Sequence, residues 1–221
     1  MIVLHHVHQT RSMRVLWLLN ELGLDFTVAT HPFDRSLRDP EYLVLSPAGR
    51  VPAIEIGGER MFESLAIMQF LCERTPSRLG GDPKALDRAE WLSWLNFGET
   101  ISQHAAALTQ QHLMLYDDAM RSPIVMRLEA ARIGKCYAAI EARLSTPIEN
   151  RDYLLTGGFS AADISVGQAV YMARHFARLD DYPETAKWYA RLTERPAFRA
   201  SLPPEGAGIY ERDFYPAWED R

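Results

Sequence analysis

The 221 residues suffice for one large domain or two small ones, each with a proper core. An apolar content of 47% and a charged content of 24% are those of an ordinary globular chain, and a net charge of −5 gives no electrostatic reason to expect nucleic acid or an anionic membrane as partner. No apolar run approaches a membrane span, and the start MIVLHHVHQTRS lacks the basic end and long apolar core of a signal peptide, so a cytoplasmic location is expected.

Ile2 to Val7 reads as a strand. Thr10-Arg11-Ser12 breaks it and starts a helix, in which Val15, Leu18, Leu19 and Leu22 share one face. Gly23 ends that helix as a C′ glycine, and Asp25 to Thr30 reads as a second strand. Strand, helix and strand in this length make a βαβ unit with a parallel pair. Asp34 to Leu45 is polar and turn-rich, with room for one short helix.

The stretch SPAGRVPAIEIGGERMFES, Ser46 to Ser64, carries the most information. Pro52 stands just before the run Ala53-Ile54-Glu55-Ile56, so it belongs at the first position or edge of a strand. A cis bond at Val51-Pro52 is expected there and would turn the Val51 N–H and C=O outward, available to an extended peptide. Gly57-Gly58 signals a hairpin, Arg60-Met61-Phe62 the returning strand, and Glu63-Ser64 the start of a helix with Ile67, Phe70 and Leu71 on one face. The free N–H groups of a helix start attract a carboxylate, and Glu63 beside them suits an amine. Together they fit an amino-acid head group, so the stretch reads as a docking edge for a small peptide with a free α-amino-acid end.

Gly80-Gly81-Asp82-Pro83 reads as a linker, and beyond it no strong strand pattern occurs. Trp91, Trp94, Leu95 and Gly98 mark one helix face, and Ile133, Tyr137, Ile140 and Leu144 another, with a break near Asp117-Asp118 and Pro123. Tyr153 to Gly158 reads as a loop. Ser160 and Asp163 form a capping box, with Phe159 and Ile164 as a hydrophobic staple, and this cap serves folding. Pro183 suits the first position of the next helix, and Arg195-Pro196 closes it. The tail from Pro203 to Arg221 is expected to pack loosely over the helices. Cys72 and Cys136 read as buried small hydrophobes, and His5, His6 and His8 lack partners at metal-ligand spacing, so no metal is expected.

Proline, strand, hairpin, strand, Glu-Ser and helix in this order resemble the glutathione-binding half of the cytosolic glutathione transferases, and the resemblance covers essentially the whole chain. It implies an α/β N-terminal thioredoxin-like domain over 1–79, a linker over 80–86 and an all-α C-terminal helical domain over 87–221. Glutathione would bind through Val51, Pro52, Glu63 and Ser64, with help from Arg50. Its thiol would face the turn His8-Gln9-Thr10-Arg11-Ser12. A free thiol has a pKa of about 8.5, and lowering it by about two is worth roughly 2.7 kcal/mol. Two hydroxyls could supply that. Thr10 occupies the place of the catalytic serine of serine-type relatives, and Ser12 is the other donor or else the helix N-cap; His6 and His8 read as strand-end side chains without chemistry.

An apolar electrophile would lie against the helical domain, with Phe97, His104, Met114 and Tyr116 as wall residues. The resemblance further implies a homodimer. Conjugation is the first activity to expect, with peroxide reduction beside it. Glutathione-dependent disulfide reduction and a non-catalytic glutathione-binding stress or interaction protein are the alternatives.

Overall fold

The computed structural model of the chain describes residues 1–146 and 152–216. Two compact units emerge, Met1–Trp91 with Thr193–Ile209, and Leu92–Leu192 with the segment that starts at Tyr210.

The first unit is built on a four-stranded sheet in the order β2-β1-β3-β4, with β1 at Ile2–His6, β2 at Thr27–Thr30, β3 at Ala53–Ile56 and β4 at Glu59–Phe62. β1 runs parallel to β2 and antiparallel to β3, and β3 and β4 form the expected hairpin. Gly57 and Gly58 have φ values of 60° and 90°, the positive pair that a tight two-residue turn demands. Helix α1 (Ser12–Glu21) makes the crossover, and it is buried at every position from Ser12 to Leu19, not only on the face of Val15, Leu18 and Leu19. A short 3-10 turn (Arg35–Arg38) and α2 (Pro40–Leu43) fill the turn-rich segment, and α3 (Ser64–Arg74) follows the hairpin.

Past Gly80-Gly81 the chain stays with this unit as far as Trp91, whose Nε1–H donates to the Leu79 carbonyl at 2.9 Å. Nothing in the sequence marks Thr193–Ile209 as returning to it. Arg195-Pro196 does not simply close the preceding helix: Pro196 opens a new short helix, α8 (Pro196–Ala200), because a proline at the first helical position costs no hydrogen bond. Phe198 then packs edge-on against Trp17 at 4.9 Å, and the Arg195 guanidinium grips Glu21 through two bonds of 2.6 and 2.8 Å.

The second unit is helical. It holds α4 (Arg88–Thr109) from Leu92 on, α5 (Pro123–Ser145), α6 (Ala161–Ala173) and α7 (Pro183–Thr193) up to Leu192. Gly98 lets α4 and α6 touch: a Cβ there would stand 2.2 Å from Ser165 Oγ, which donates to the Leu95 carbonyl at 2.7 Å. Ile133, Tyr137, Ile140 and Leu144 are all buried on α5. The capping box at Ser160 and Asp163 is complete. Phe159 rests edge-on against Tyr153 at 5.6 Å.

The expectation of a loosely packed tail is corrected. Ile209 N–H donates to the Gln9 side chain at 2.5 Å within the first unit. Within the second, Tyr210 stacks on His175 at 4.8 Å, its hydroxyl lies 2.7 Å from Thr109 Oγ1, and Phe214 N–H donates to the His175 carbonyl at 2.6 Å. Aromatic rings spaced along the tail give it burial that its Pro and Gly content conceals. Residues 217–221 of that tail lie outside the described residues. Among the described residues, no helix is long and apolar enough to cross a membrane.

Candidate functional site

The docking edge is held from beneath. Tyr42 and Leu37 form an apolar cluster with Val7, and Val51 and Leu45 pack against it. The Tyr42 hydroxyl donates to the Arg50 carbonyl at 2.9 Å, and Ser46 Oγ accepts the Arg50 N–H at 3.3 Å. Both backbone groups of Arg50 are therefore engaged. The next residue is different: among the described residues, neither the N–H nor the C=O of Val51 has a hydrogen-bond partner. The Val51-Pro52 bond is cis. Arg50 itself is exposed, and Pro52 is buried.

The tip of α3 lies at the end of the hairpin that starts from this edge. Glu63 occupies the N-cap with φ 72° and ψ 107°, a combination that residues with a Cβ rarely adopt, and its side chain makes no capping bond. The N–H groups of the first turn thus lack a side-chain cap, which suits an anion. Ser64 opens the helix and is buried. Beside it lies Arg14, fully buried on α1, with Nη1 3.5 Å from Ser64 Oγ. Glu63 is exposed. A buried cation, an uncapped helix start and an exposed carboxylate offer one place for a carboxylate and one for an amine.

The turn between β1 and α1 carries the two hydroxyls. Thr10 is half-buried, and its hydroxyl donates to the Val7 carbonyl at 2.8 Å. Its Oγ1 also accepts the Ser12 N–H at 3.3 Å. Thr10 therefore supplies the local cap that was the alternative reading of Ser12; the N-cap position itself is Arg11, which makes no capping bond. Ser12, the other candidate donor, is held within the protein. It is 0% exposed, and its Oγ is enclosed by His6 Nδ1 at 2.7 Å, Thr10 Oγ1 at 2.8 Å and the Val7 N–H at 3.2 Å. His6 is not an idle strand-end side chain, since it is bound to Ser12. Burial first, and then His8, push its pKa down to about 4, so the ring is neutral at physiological pH.

The four wall residues lie on the second unit. Phe97 meets Trp94 edge-on at 5.3 Å, and Met114 and Tyr116 are 52% and 85% exposed. His104 Nδ1 lies 2.6 Å from Glu129 Oε2, so it ties α4 to α5. No ring contact or hydrogen bond joins any two of the four. Both cysteines are buried, and burial pushes the Cys72 thiol up to about 12 and the Cys136 thiol upward. Among the described residues, no three His, Cys, Asp or Glu side chains gather as a metal set.

Arg14, His6 and Tyr42 escaped the sequence reading as parts of the candidate site. Arg14 alone left a signal, as an arginine inside a run of apolar helix positions.

Two family models match the chain. The model described as glutathione S-transferase, N-terminal domain, matches residues 10–74, and that for the C-terminal domain matches residues 125–196. Glutathione S-transferase 3 of Zea mays is 30% identical, over 86% of this chain and 87% of its own. Glutathione S-transferase 1 of Saccharomyces cerevisiae is 27% identical, over 90% and 93%. Among solved structures, a glutathione transferase homolog from Lodderomyces elongisporus with two GSH per subunit superposes with a TM-score of 0.82 at 21% identity, covering 92% of this chain and 99% of that one. Glutathione transferase URE2P6 from Phanerochaete chrysosporium, in complex with oxidized glutathione, gives 0.79 at 24% identity, over 90% and 94%.

Proposed function

Because the chain belongs to the glutathione S-transferase family and is such an enzyme, we propose that it docks glutathione along Val51 and against the tip of α3, and that Thr10 holds the sulfur as a thiolate for transfer to an apolar electrophile. The observation that carries this reading is the Val51 backbone pair without partners, set close in the chain to a helix start without a cap. The cysteinyl N–H and C=O of the peptide pair with Val51 C=O and N–H. The γ-glutamyl carboxylate takes the Ser64 hydroxyl and the first N–H groups of α3, with the positive end of the helix and Arg14 behind it. Glu63 takes the α-amine. Arg50, exposed at the start of the same edge, adds a cation for the second carboxylate.

Thr10 lies where the sulfur arrives. When the thiol gives up its proton to solvent, the Thr10 hydroxyl turns from the Val7 carbonyl to the sulfur and donates to it. The thiolate attacks an electrophilic carbon, forming a C–S bond as the leaving group or a π-electron pair departs. With a peroxide, it attacks oxygen instead: the O–O bond breaks, the departing oxygen takes a proton and leaves as alcohol or water, and a second glutathione displaces water from the sulfenic acid to give the disulfide. Burial of both cysteines favours these routes over reduction through a protein thiol. A homodimer in the cytoplasm belongs to the same proposal.

The test is the ultraviolet absorbance of bound thiolate as pH is varied. A hydrogen bond to a charged group is worth about 1.5–3 kcal/mol. Thr10→Val therefore loses the thiolate at neutral pH and slows turnover by roughly 10- to 100-fold, while Thr10→Ser keeps both. An unchanged thiolate in Thr10→Val removes Thr10 from the mechanism. Binding without ionisation in the unmodified protein makes it a binding module.

A further inference from the structure

Four side chains in and around the first turn form one hydrogen-bonded file. His8 Nδ1 lies 3.2 Å from His6 Nε2, His6 Nδ1 lies 2.7 Å from Ser12 Oγ, and Ser12 Oγ lies 2.8 Å from Thr10 Oγ1. We propose that this file is proton-ordered toward Thr10, with His6 as the Nδ1–H tautomer, so that His6 and Ser12 are positioning residues that make Thr10 a donor. The proposal rests on the reading of Thr10 given above.

The order follows from counting protons. His6 is neutral and has one N–H, each hydroxyl has one O–H, and every short contact between two heteroatoms needs one proton between them. If His6 carries its proton on Nδ1, it donates to Ser12 Oγ. Ser12 then donates to Thr10 Oγ1, and Thr10 keeps its own proton for the Val7 carbonyl at 2.8 Å. His8 donates from Nδ1 to His6 Nε2, and the Val7 N–H completes Ser12 at 3.2 Å. Only the 3.1 Å approach of Ser12 Oγ to the Val7 carbonyl is then without a proton of its own, and that carbonyl already has the Thr10 hydroxyl.

The opposite order does worse. With the proton of His6 on Nε2, Ser12 must donate to His6 Nδ1. Thr10 must then donate to Ser12, and neither hydroxyl serves the Val7 carbonyl, although both stand within reach of it, at 2.8 and 3.1 Å. A buried carbonyl is left short of a donor. The forward order also prepares the chemistry. Thr10 Oγ1 accepts from the Ser12 hydroxyl and from the Ser12 N–H, which strengthens its own O–H as a donor. Moving that one proton from the Val7 carbonyl to a sulfur anion leaves the His6–Ser12–Thr10 bonds in place, and the charge-assisted bond to sulfur offsets the donor that the carbonyl loses.

Ring-nitrogen NMR of the full-length protein reads the tautomer directly, with and without glutathione. The expected result is His6 protonated on Nδ1 in both states. A proton on Nε2 in the bound state overturns the proposal. Variants give a second readout that does not depend on assigning the ring. Ser12→Ala and His6→Phe are expected to reduce the bound thiolate at neutral pH by about tenfold while KM for glutathione stays within about twofold. His6→Asn, whose amide nitrogen can stand in for Nδ1–H, is expected to restore it. Should Ser12→Ala keep the full thiolate while Thr10→Val loses it, the file fails and the role of Thr10 stands. Should both keep it, the proposed function fails at Thr10. If a variant does not fold, the tautomer in the unmodified protein still decides.

Discussion

Asp163→Ala lowers the unfolding midpoint of this protein by about 10 °C. The carboxylate is fully buried and collects four donors. Oδ1 accepts the Leu154 N–H at 3.0 Å and Trp188 Nε1–H at 2.9 Å, while Oδ2 accepts the Ser160 N–H at 2.9 Å and the Ser160 hydroxyl at 3.3 Å. Burial pushes this carboxyl above its ordinary range, and the four donors oppose that shift. Alanine removes every acceptor at once. Three N–H groups in the interior are left with nothing to bond, and each such loss costs about 1–3 kcal/mol. Partial relaxation leaves a net cost of roughly 4 kcal/mol, and at about 2–4 °C per kcal/mol for a chain of this size the midpoint falls by the stated amount. Scanning calorimetry measures it. A fall of less than about 2 °C would mean that the loop at Leu154 and the ring of Trp188 find other partners, and that the cap is not the keystone of the second unit.

Glu63→Gly raises stability and weakens binding together. At φ 72° and ψ 107° a residue with a Cβ pays about 1–3 kcal/mol. Glycine escapes that cost, with a smaller loss to the entropy of the unfolded chain, so the variant gains about 1 kcal/mol. The same change removes the exposed carboxylate proposed to hold the α-amine. A charge-assisted bond lost at a ligand is worth about 1.5–3 kcal/mol, so the dissociation constant for glutathione rises by roughly 10- to 100-fold. Calorimetric titration and thermal unfolding of one preparation give both numbers. Glu63→Gln separates the causes: it keeps the strained backbone, so stability stays near that of the unmodified protein while affinity falls. Unchanged affinity in both variants would take Glu63 out of the site, and the backbone strain would then lack a function.

The contrast between these two residues shows what a single sequence exposes. Asp163 was legible because a capping box is a local pattern: an N-cap hydroxyl, an acid three residues on and an apolar residue on either side. The hairpin at Gly57-Gly58 and the crossover from β1 to β2 were legible for the same reason, as was the pair of Val51-Pro52 and Glu63-Ser64. The position of Glu63 was therefore visible, but its backbone strain was not, since nothing in the residue type announces a positive φ. The bond between His6 and Ser12 is not legible, because the two partners come from different elements and meet only when β1 and α1 are set side by side. Arg14 was hidden in the same way, as its target Ser64 lies 50 residues further on. The tail, rich in Pro, Gly and aromatics, reads as loose, while its anchors are three spaced contacts at Ile209, Tyr210 and Phe214.

A crystal structure of the protein with reduced glutathione tests the central claim most directly. The account predicts the cysteinyl N–H and C=O paired with Val51 at about 2.9 Å, the γ-glutamyl carboxylate on Ser64 and the N–H groups of α3, and the sulfur within hydrogen-bond reach of Thr10 Oγ1. A peptide bound elsewhere, or one lying along Val51 with its sulfur turned away from Thr10, would contradict it.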